Sequence, residues 1–252
     1  MHCFAGKALC SAFAFQRSLR ACSQRAASTD LPASSMPSKR VDKTSNGQHE
    51  EHIFEVTREE VVHRRYLTLY DRRIRFPAHQ GKQAQEHEYD IIGHPQLNFS
   101  FVVVFPFHPY TDGRPGGEVT LLREHCQGPN AMLYTLPTGG FDPRKSPSAL
   151  AAARAELSEE AHLSGGEWVE LLEPEHPGIA EVKWCRNRFR PFLCIGPQKD
   201  DAPGQRDAEE FIEVHRFDIV ELRGMLTACD MLLPSMTTSF LAFNKLASMR
   251  QL

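Results

Sequence analysis

The chain has 252 residues, enough for one sizeable domain with a good core, or for a small domain plus a tail. Its 41% apolar and 24% charged residues are the balance of a globular protein, and a formal charge of −3 leaves no basic footprint, so no nucleic-acid partner is expected. No apolar run reaches the length of a membrane-spanning helix, so no membrane partner is expected, and the seven cysteines form no CxxC or Cys/His cluster, which argues against structural zinc or a disulfide framework and for a reducing compartment.

Residues 1–48 read as a segment outside the fold. No acid precedes Asp30, while Lys7, Arg17, Arg20 and Arg25 are basic among many Ala and Ser. That is the composition of a transit peptide followed by a disordered linker, and it predicts a plastid or mitochondrial protein. The alternative is a tail without targeting meaning on a cytoplasmic protein.

Residues 49–96 are expected to form a small N-terminal β subdomain. Tyr66–Tyr70 and Ile74–Phe76 alternate as strands with Asp71-Arg72-Arg73 as a turn or bulge between them, and Tyr89–Gly93 is a further short strand. A second domain is expected over 97–252. Its run Phe101-Val102-Val103-Val104-Phe105 has the continuous hydropathy of a strand buried on both faces. The turn cluster Thr111–Gly117 returns the chain as Val119–Leu122, and Leu133–Leu136 leads into Gly139-Gly140.

Between that glycine pair and Gly165-Gly166 lies a helix, with Ser146 as its expected N-cap, Pro147 at its first position and Leu163 near its end. Glu156, Glu159 and Glu160 sit on it at i, i+3, i+4, so three carboxylates crowd one face. Such a cluster on its own reads as a solvated surface. Behind a strand and a glycine pair it also reads as a divalent-cation site, because Mg²⁺ takes oxygen ligands from one or two carboxylates together with substrate phosphates. After the helix come strands at Trp168–Leu172, one or two within Val182–Ile195, and Phe211–Phe217. A short helix over Ile219–Met225 follows, and then an amphipathic helix opened by Pro234, with Phe240, Leu241, Phe243 and Leu246 as its core positions. The pattern is α+β, with helices packed on a mixed sheet.

The stretch Leu136–Gly166 resembles the box of the Nudix hydrolases, G-x5-E-x7-R-E-U-x-E-E-x-G-U with U apolar. Glu159-Glu160 fall on its paired glutamates, Glu156 on the first glutamate of its helix, and Leu157 and Leu163 on apolar positions. The box arginine is replaced by Ala155, with Arg154 one place early; the late glycine is His162; and the loop glutamate is absent. Outside the box, YLTLYDRRIRFP, YDIIG, VTLLREHCQG, HPGIAEVKW and EEFIEVHRFD resemble, in order, the branch that hydrolyses ADP-ribose and nucleotide sugars.

This resemblance implies an α/β/α sandwich with a mixed sheet, preceded by an N-terminal antiparallel sheet that pairs with a second subunit in a homodimer. It implies Mg²⁺ or Mn²⁺ held by Glu156, Glu160 and a backbone carbonyl near Gly139 or Gly140, with Glu159 or Glu210 to position or deprotonate the attacking water. Glu210 is expected on a mobile loop, and Thr135 stands where many relatives carry an acid. Arg123 and Arg186 are candidates to hold a phosphate or ribose of a nucleotide-sugar substrate, or else structural charges; Trp184 and Phe189 either stack on adenine or pack in the core. The implied activity is hydrolysis of the pyrophosphate bond of ADP-ribose or an ADP-sugar to AMP and a sugar phosphate. The alternatives are a non-catalytic domain that binds a nucleotide as a sensor, and a dimerisation module with an incidental acidic helix.

Overall fold

A computed structural model describes residues 52–206, 208 and 210–252. The leader and linker expected at 1–48, and Glu209, lie outside the described residues. The first sheet is built by complementary charge more than by hydropathy. Strands β1 (Glu55–Arg64), β2 (Thr68–Phe76) and β3 (Gln85–Gly93) form an antiparallel sheet in the order β1-β2-β3. The turn expected at Asp71–Arg73 is absent, since β2 runs straight through it. Arg58 pairs with Asp71, Arg72 with Glu59 and Arg73 with Glu88, so each polar residue in the middle of β2 finds an opposite charge on a neighbouring strand. Exposed pairs of this kind add little to stability, but here they satisfy a run that hydropathy alone reads as a break. The sheet is tied to the rest of the fold by the Ile92 N–H donating to Trp184 O at 2.9 Å and the Arg186 N–H donating to Ile92 O at 2.8 Å.

The second sheet has eight strands. They are β4 (Ser100–Pro109), β5 (Gly117–Cys126), β6 (Ala131–Thr135), β7 (Thr138–Gly140), β9 (Glu167–Glu170), β10 (Ile179–Ala180), β11 (Arg188–Ile195) and β13 (Ile212–Asp218). Its spine is ordered β10-β11-β4-β5-β13, with β11 and β4 parallel and the other pairs antiparallel, which makes the sheet mixed. Two-residue strands β8 (Leu163–Ser164) and β12 (Gln198–Lys199) pair with each other at its margin.

One feature of the register positions the site. β4 and β5 pair only at Phe107–Pro109, then diverge. In the gap β7 lines β4 from Phe101 to Val103 while β6 lines β5 from Leu122 to Cys126. The Leu136–Pro137 link therefore crosses between the splayed strands, held by the Val104 N–H on Pro137 O at 2.9 Å and the Leu136 N–H on Ser235 Oγ at 2.9 Å.

Helices cover both faces. Helix α1 (Ala149–Ala161) packs Ala152, Ala153, Leu157 and Ala161 on Val102, Val104, Leu122 and Phe192. The small alanines let the helix lie close to the sheet, and full burial of Leu157 is worth about 2 kcal/mol. Helices α2 (Ile219–Ala228) and α3 (Leu233–Ser248) cover the other face over Val103, Phe105, Phe107 and Leu121. The expected α/β/α sandwich preceded by a small antiparallel sheet is thus the observed architecture.

Two details differ from expectation. The N-cap of α1 is Ser148, whose side chain accepts from the Ala151 N–H at 3.1 Å, and not Ser146. The Ser146 N–H is instead held in a turn on Asp142 O at 2.9 Å, and the helix begins only after Ser148. On α3, Phe240 is exposed, and the buried face is Ser235, Thr238, Ser239, Ala242 and Leu246. Small side chains line that face because the helix lies against β4 and β11, and Phe240 is turned off it by about 100° relative to Ser239.

Candidate functional site

Along α1 the buried stripe runs Ala153, Leu157, Glu160, Ala161, so Glu160 occupies a core-facing position of the helix. It is only 5% exposed, although the acidic cluster reads in sequence as a surface. Its Oε2 accepts from the Thr138 backbone N–H at 2.8 Å, which fixes the carboxylate against the start of β7. Burial, and after it the neighbouring Glu156, hold this carboxyl well above the usual range. Glu124 and Glu210 push it the same way, and the Thr138 N–H offsets part of the effect.

Glu156, one turn earlier, lies against Gly139. A Cβ built on Gly139 would stand 1.9 Å from both the Cδ and the Oε1 of Glu156, so the carboxylate occupies the space that only glycine leaves open. Gly140 serves a different neighbour, because a Cβ there would meet the Leu97 side chain at 2.3 Å. The glycine pair therefore seats a carboxylate with its first member and the half-buried Leu97 with its second.

Two further carboxylates reach this place from elsewhere in the chain. Glu124 was not singled out by the sequence. On β5 it follows Thr120 and Leu122 on the face that α1 covers, and burial raises its carboxyl as well. Only the splay of β4 from β5 gives it room there, so no local pattern announces it. Glu210 lies just before β13, in range to disfavour charge on Glu160.

The segment 200–206, leading to Glu210, is docked along the C-terminal half of α1. The Ser158 Oγ donates to Asp200 Oδ2 at 2.7 Å and accepts from the Gly204 N–H at 3.0 Å. Gly204 lies so close to Glu159 that a Cβ would stand 2.3 Å from its Cγ. Arg206, also unremarked in the sequence, donates to Glu159 O at 3.1 Å, to Glu160 O, and to Ile212 O at 3.3 Å. Glu210, expected on a mobile loop, lies in range to act on the charge of Glu160.

The expected basic residues are held elsewhere. Arg123 is on the opposite face of β5 from Glu124 and donates to Glu213 at 3.2 Å. Arg186 donates to Glu59 at 3.0 Å and stacks on Phe99, 4.1 Å from its ring centroid. Arg144, in the loop before the helix, donates to both oxygens of Asp142 and to Gln96 O; its guanidinium pulls the Asp142 carboxyl down to about 2. Arg154 lies over Trp168, and Ala155 is exposed. Phe189 is core, whereas Trp184 is exposed.

Among the described residues, no group of three or more His, Cys, Asp or Glu side chains is already arranged to hold a metal ion. Carboxylates are the ligand type that a hard divalent cation takes. Glu124, Glu156 and Glu210 all disfavour the charge of the buried Glu160, and a cation among them would remove that repulsion while accepting carboxylate oxygens.

The fold is an α/β/α sandwich around a mixed sheet, with the acidic helix α1 on one face. No protein-family model matches the sequence, and no curated protein matches it. Among solved structures, the crystal structure of an ADP compounds hydrolase is similar, with a TM-score of 0.59 over 79% of this chain and 97% of that one, at 17% identity. At that identity the likeness is one of fold.

Proposed function

We propose that this chain is a Mg²⁺- or Mn²⁺-dependent hydrolase of the pyrophosphate bond in a nucleoside diphosphate derivative, with ADP-ribose or an ADP-sugar as substrate and AMP and a sugar phosphate as products. The observation that carries the reading is the pair of carboxylates on α1, Glu156 seated in the recess at Gly139 and Glu160 buried on the Thr138 N–H, with Glu124 and Glu210 in range to act on the charge of Glu160. The fold supports it, since its similar solved structure is an ADP compounds hydrolase.

In this reading Glu156 and Glu160 hold the divalent cation, with a carbonyl of the Gly139-Gly140 pair beside them. The cation supplies charge neutralisation and Lewis acidity at the phosphate oxygens. Glu160 is fixed by the Thr138 N–H and Glu156 by the recess at Gly139, so both are oriented before substrate arrives. Water attacks one phosphorus of the P–O–P bridge, and Glu210 takes its proton, with Glu159 as the other candidate base. The leaving phosphate departs with the bridging oxygen. Homodimerisation through β1–β3 and an organellar address in residues 1–48 belong to the same proposal.

A sensor that binds a nucleotide without cleaving it is the second reading. It is motivated by the alanine at 155 and by the engagement of Arg144 with Asp142. One experiment separates the two. Purified protein is incubated with Mg²⁺ and a panel of nucleoside diphosphate derivatives, and AMP release is followed beside Glu160→Gln. Turnover that Glu160→Gln abolishes supports the hydrolase; saturable nucleotide binding without AMP release would overturn it.

A further inference from the structure

A helix whose carboxylates must act together needs something to fix its C-terminal turn, because the last carbonyls there have no partner within the helix. An arginine at position 155 would lie one turn before Glu159 and could hold its carboxylate from the helix itself. Position 155 is an exposed alanine; Arg154 beside it lies over Trp168, and Arg144 in the preceding loop is engaged in hydrogen bonds to Asp142 and Gln96.

The cation that does reach this turn comes from the opposite direction. Arg206 places one guanidinium on Glu159 O, Glu160 O and Ile212 O. The first two are the carbonyls of the paired glutamates, and the third lies just past Glu210. The same side chain therefore joins the segment that carries Glu210 to the helix that carries Glu156 and Glu160. Gly204 is independent evidence that this contact is built in, since any side chain there would collide with the stem of Glu159. A guanidinium suits the task because its planar fork presents several donors at fixed angles, and its charge complements the negative end of the helix.

We propose that Arg206 is a positioning residue of the acidic site: it acts through backbone carbonyls to hold the Glu210 segment in register with the carboxylates of α1. It thereby braces, from a loop and through the main chain, the same turn whose carboxylate an arginine at 155 could hold directly. The proposal rests on the hydrolase reading for its catalytic consequence, but not for its effect on cation binding. Arg206 touches no reacting atom.

The test compares the wild-type full chain with Arg206→Ala and Arg206→Lys, each assayed well below its own melting temperature. Two readouts are taken: kcat and KM for AMP release from ADP-ribose, and Mn²⁺ affinity of the substrate-free protein by electron paramagnetic resonance. Arg206→Ala should lower kcat about 10-fold or more with KM changed less, and should weaken Mn²⁺ binding by a similar factor. Arg206→Lys, which can keep one of the three contacts, should fall between. A purely structural role would lower the melting temperature and leave both readouts alone, and that result overturns the proposal. If the wild type releases no AMP yet binds Mn²⁺ in the expected order, the hydrolase reading fails and the positioning role stands. If Arg206→Ala does not fold, equal Mn²⁺ affinity of Arg206→Lys and wild type overturns the role. Absence of Mn²⁺ binding by the wild type overturns both.

Discussion

Gly139 and Glu156 occupy one space: a Cβ on the glycine would fall 1.9 Å from the carboxyl carbon and from Oε1 of the glutamate. The contact is with the end of a flexible side chain, so an added methyl group displaces the carboxylate more readily than it disrupts the fold. Gly139→Ala should therefore lower kcat by about 100-fold, the scale of an ångström-sized misplacement, with only a small loss of melting temperature. Steady-state kinetics beside thermal melts would check this. A large stability loss with normal kcat in the folded fraction would show that Gly139 serves packing alone.

Glu160 gives a prediction whose sign is set by burial. The solvent-exposed position read from the helix pattern would make Glu160→Gln neutral for stability, but the carboxylate is buried and its carboxyl is raised, first by burial and then by Glu156. The folded protein therefore holds this proton more tightly than the unfolded chain. Its contribution to stability is complete below the ordinary carboxylate range and is lost as pH rises through the raised value. In EDTA, Glu160→Gln should thus melt higher than wild type at pH 8 and differ less at pH 5. Added Mg²⁺ should raise the wild-type melting temperature and not that of the variant, while AMP release by the variant falls to background. Identical melting curves at both pH values would remove the buried carboxylate from this account.

His108 behaves in the opposite sense. It shares a hydrogen bond with Thr120 Oγ1 at 2.9 Å, and burial, with the Arg216 guanidinium adding to it, pushes its imidazole down to about 4. The unfolded chain takes up this proton first as pH falls. Stability is therefore full above the ordinary histidine value and is lost as pH drops toward about 4, by at most about 3 kcal/mol before solvent screening is discounted. His108→Gln should flatten the acid limb of a urea-denaturation series between pH 6.5 and 4. An unchanged limb would assign the loss to other groups.

His162 closes α1 in the left-handed region, at φ 55° and ψ 41°, a conformation that costs a side-chain-bearing residue about 1 kcal/mol and glycine almost nothing. Glycine adopts this conformation without strain, so the backbone at His162 has the geometry that glycine favours. His162→Gly should raise the melting temperature by about 3 °C, and differential scanning calorimetry measures it. A lower melting temperature would mean that the imidazole makes a contact worth more than the strain.

The sequence by itself determined the local elements whose cause is local. The unbroken run Phe101–Phe105 made β4 a doubly buried strand, the turn residues from Thr111 to Gly117 returned it as β5, and Ala, Leu and Glu made α1 a helix that carries three acids behind a glycine pair. Periodicity acts within a few residues, so these pieces were legible. The depth of Glu160 was half legible, since it falls on the stripe of Ala153 and Leu157, yet charge argued for the surface. The rest was decided by contacts between distant segments. Glu124 joins the acids because β4 and β5 diverge, Arg206 reaches the turn at Glu159 because the 200–206 segment folds back on α1, and Arg123 leaves the site because its strand turns it to the other face. β2 continues through Asp71–Arg73 because Arg58 and Glu59 on one neighbour, and Glu88 on the other, balance its charges. A polar residue's partner is chosen by the packing of the whole sheet, and only the assembled tertiary structure makes that choice.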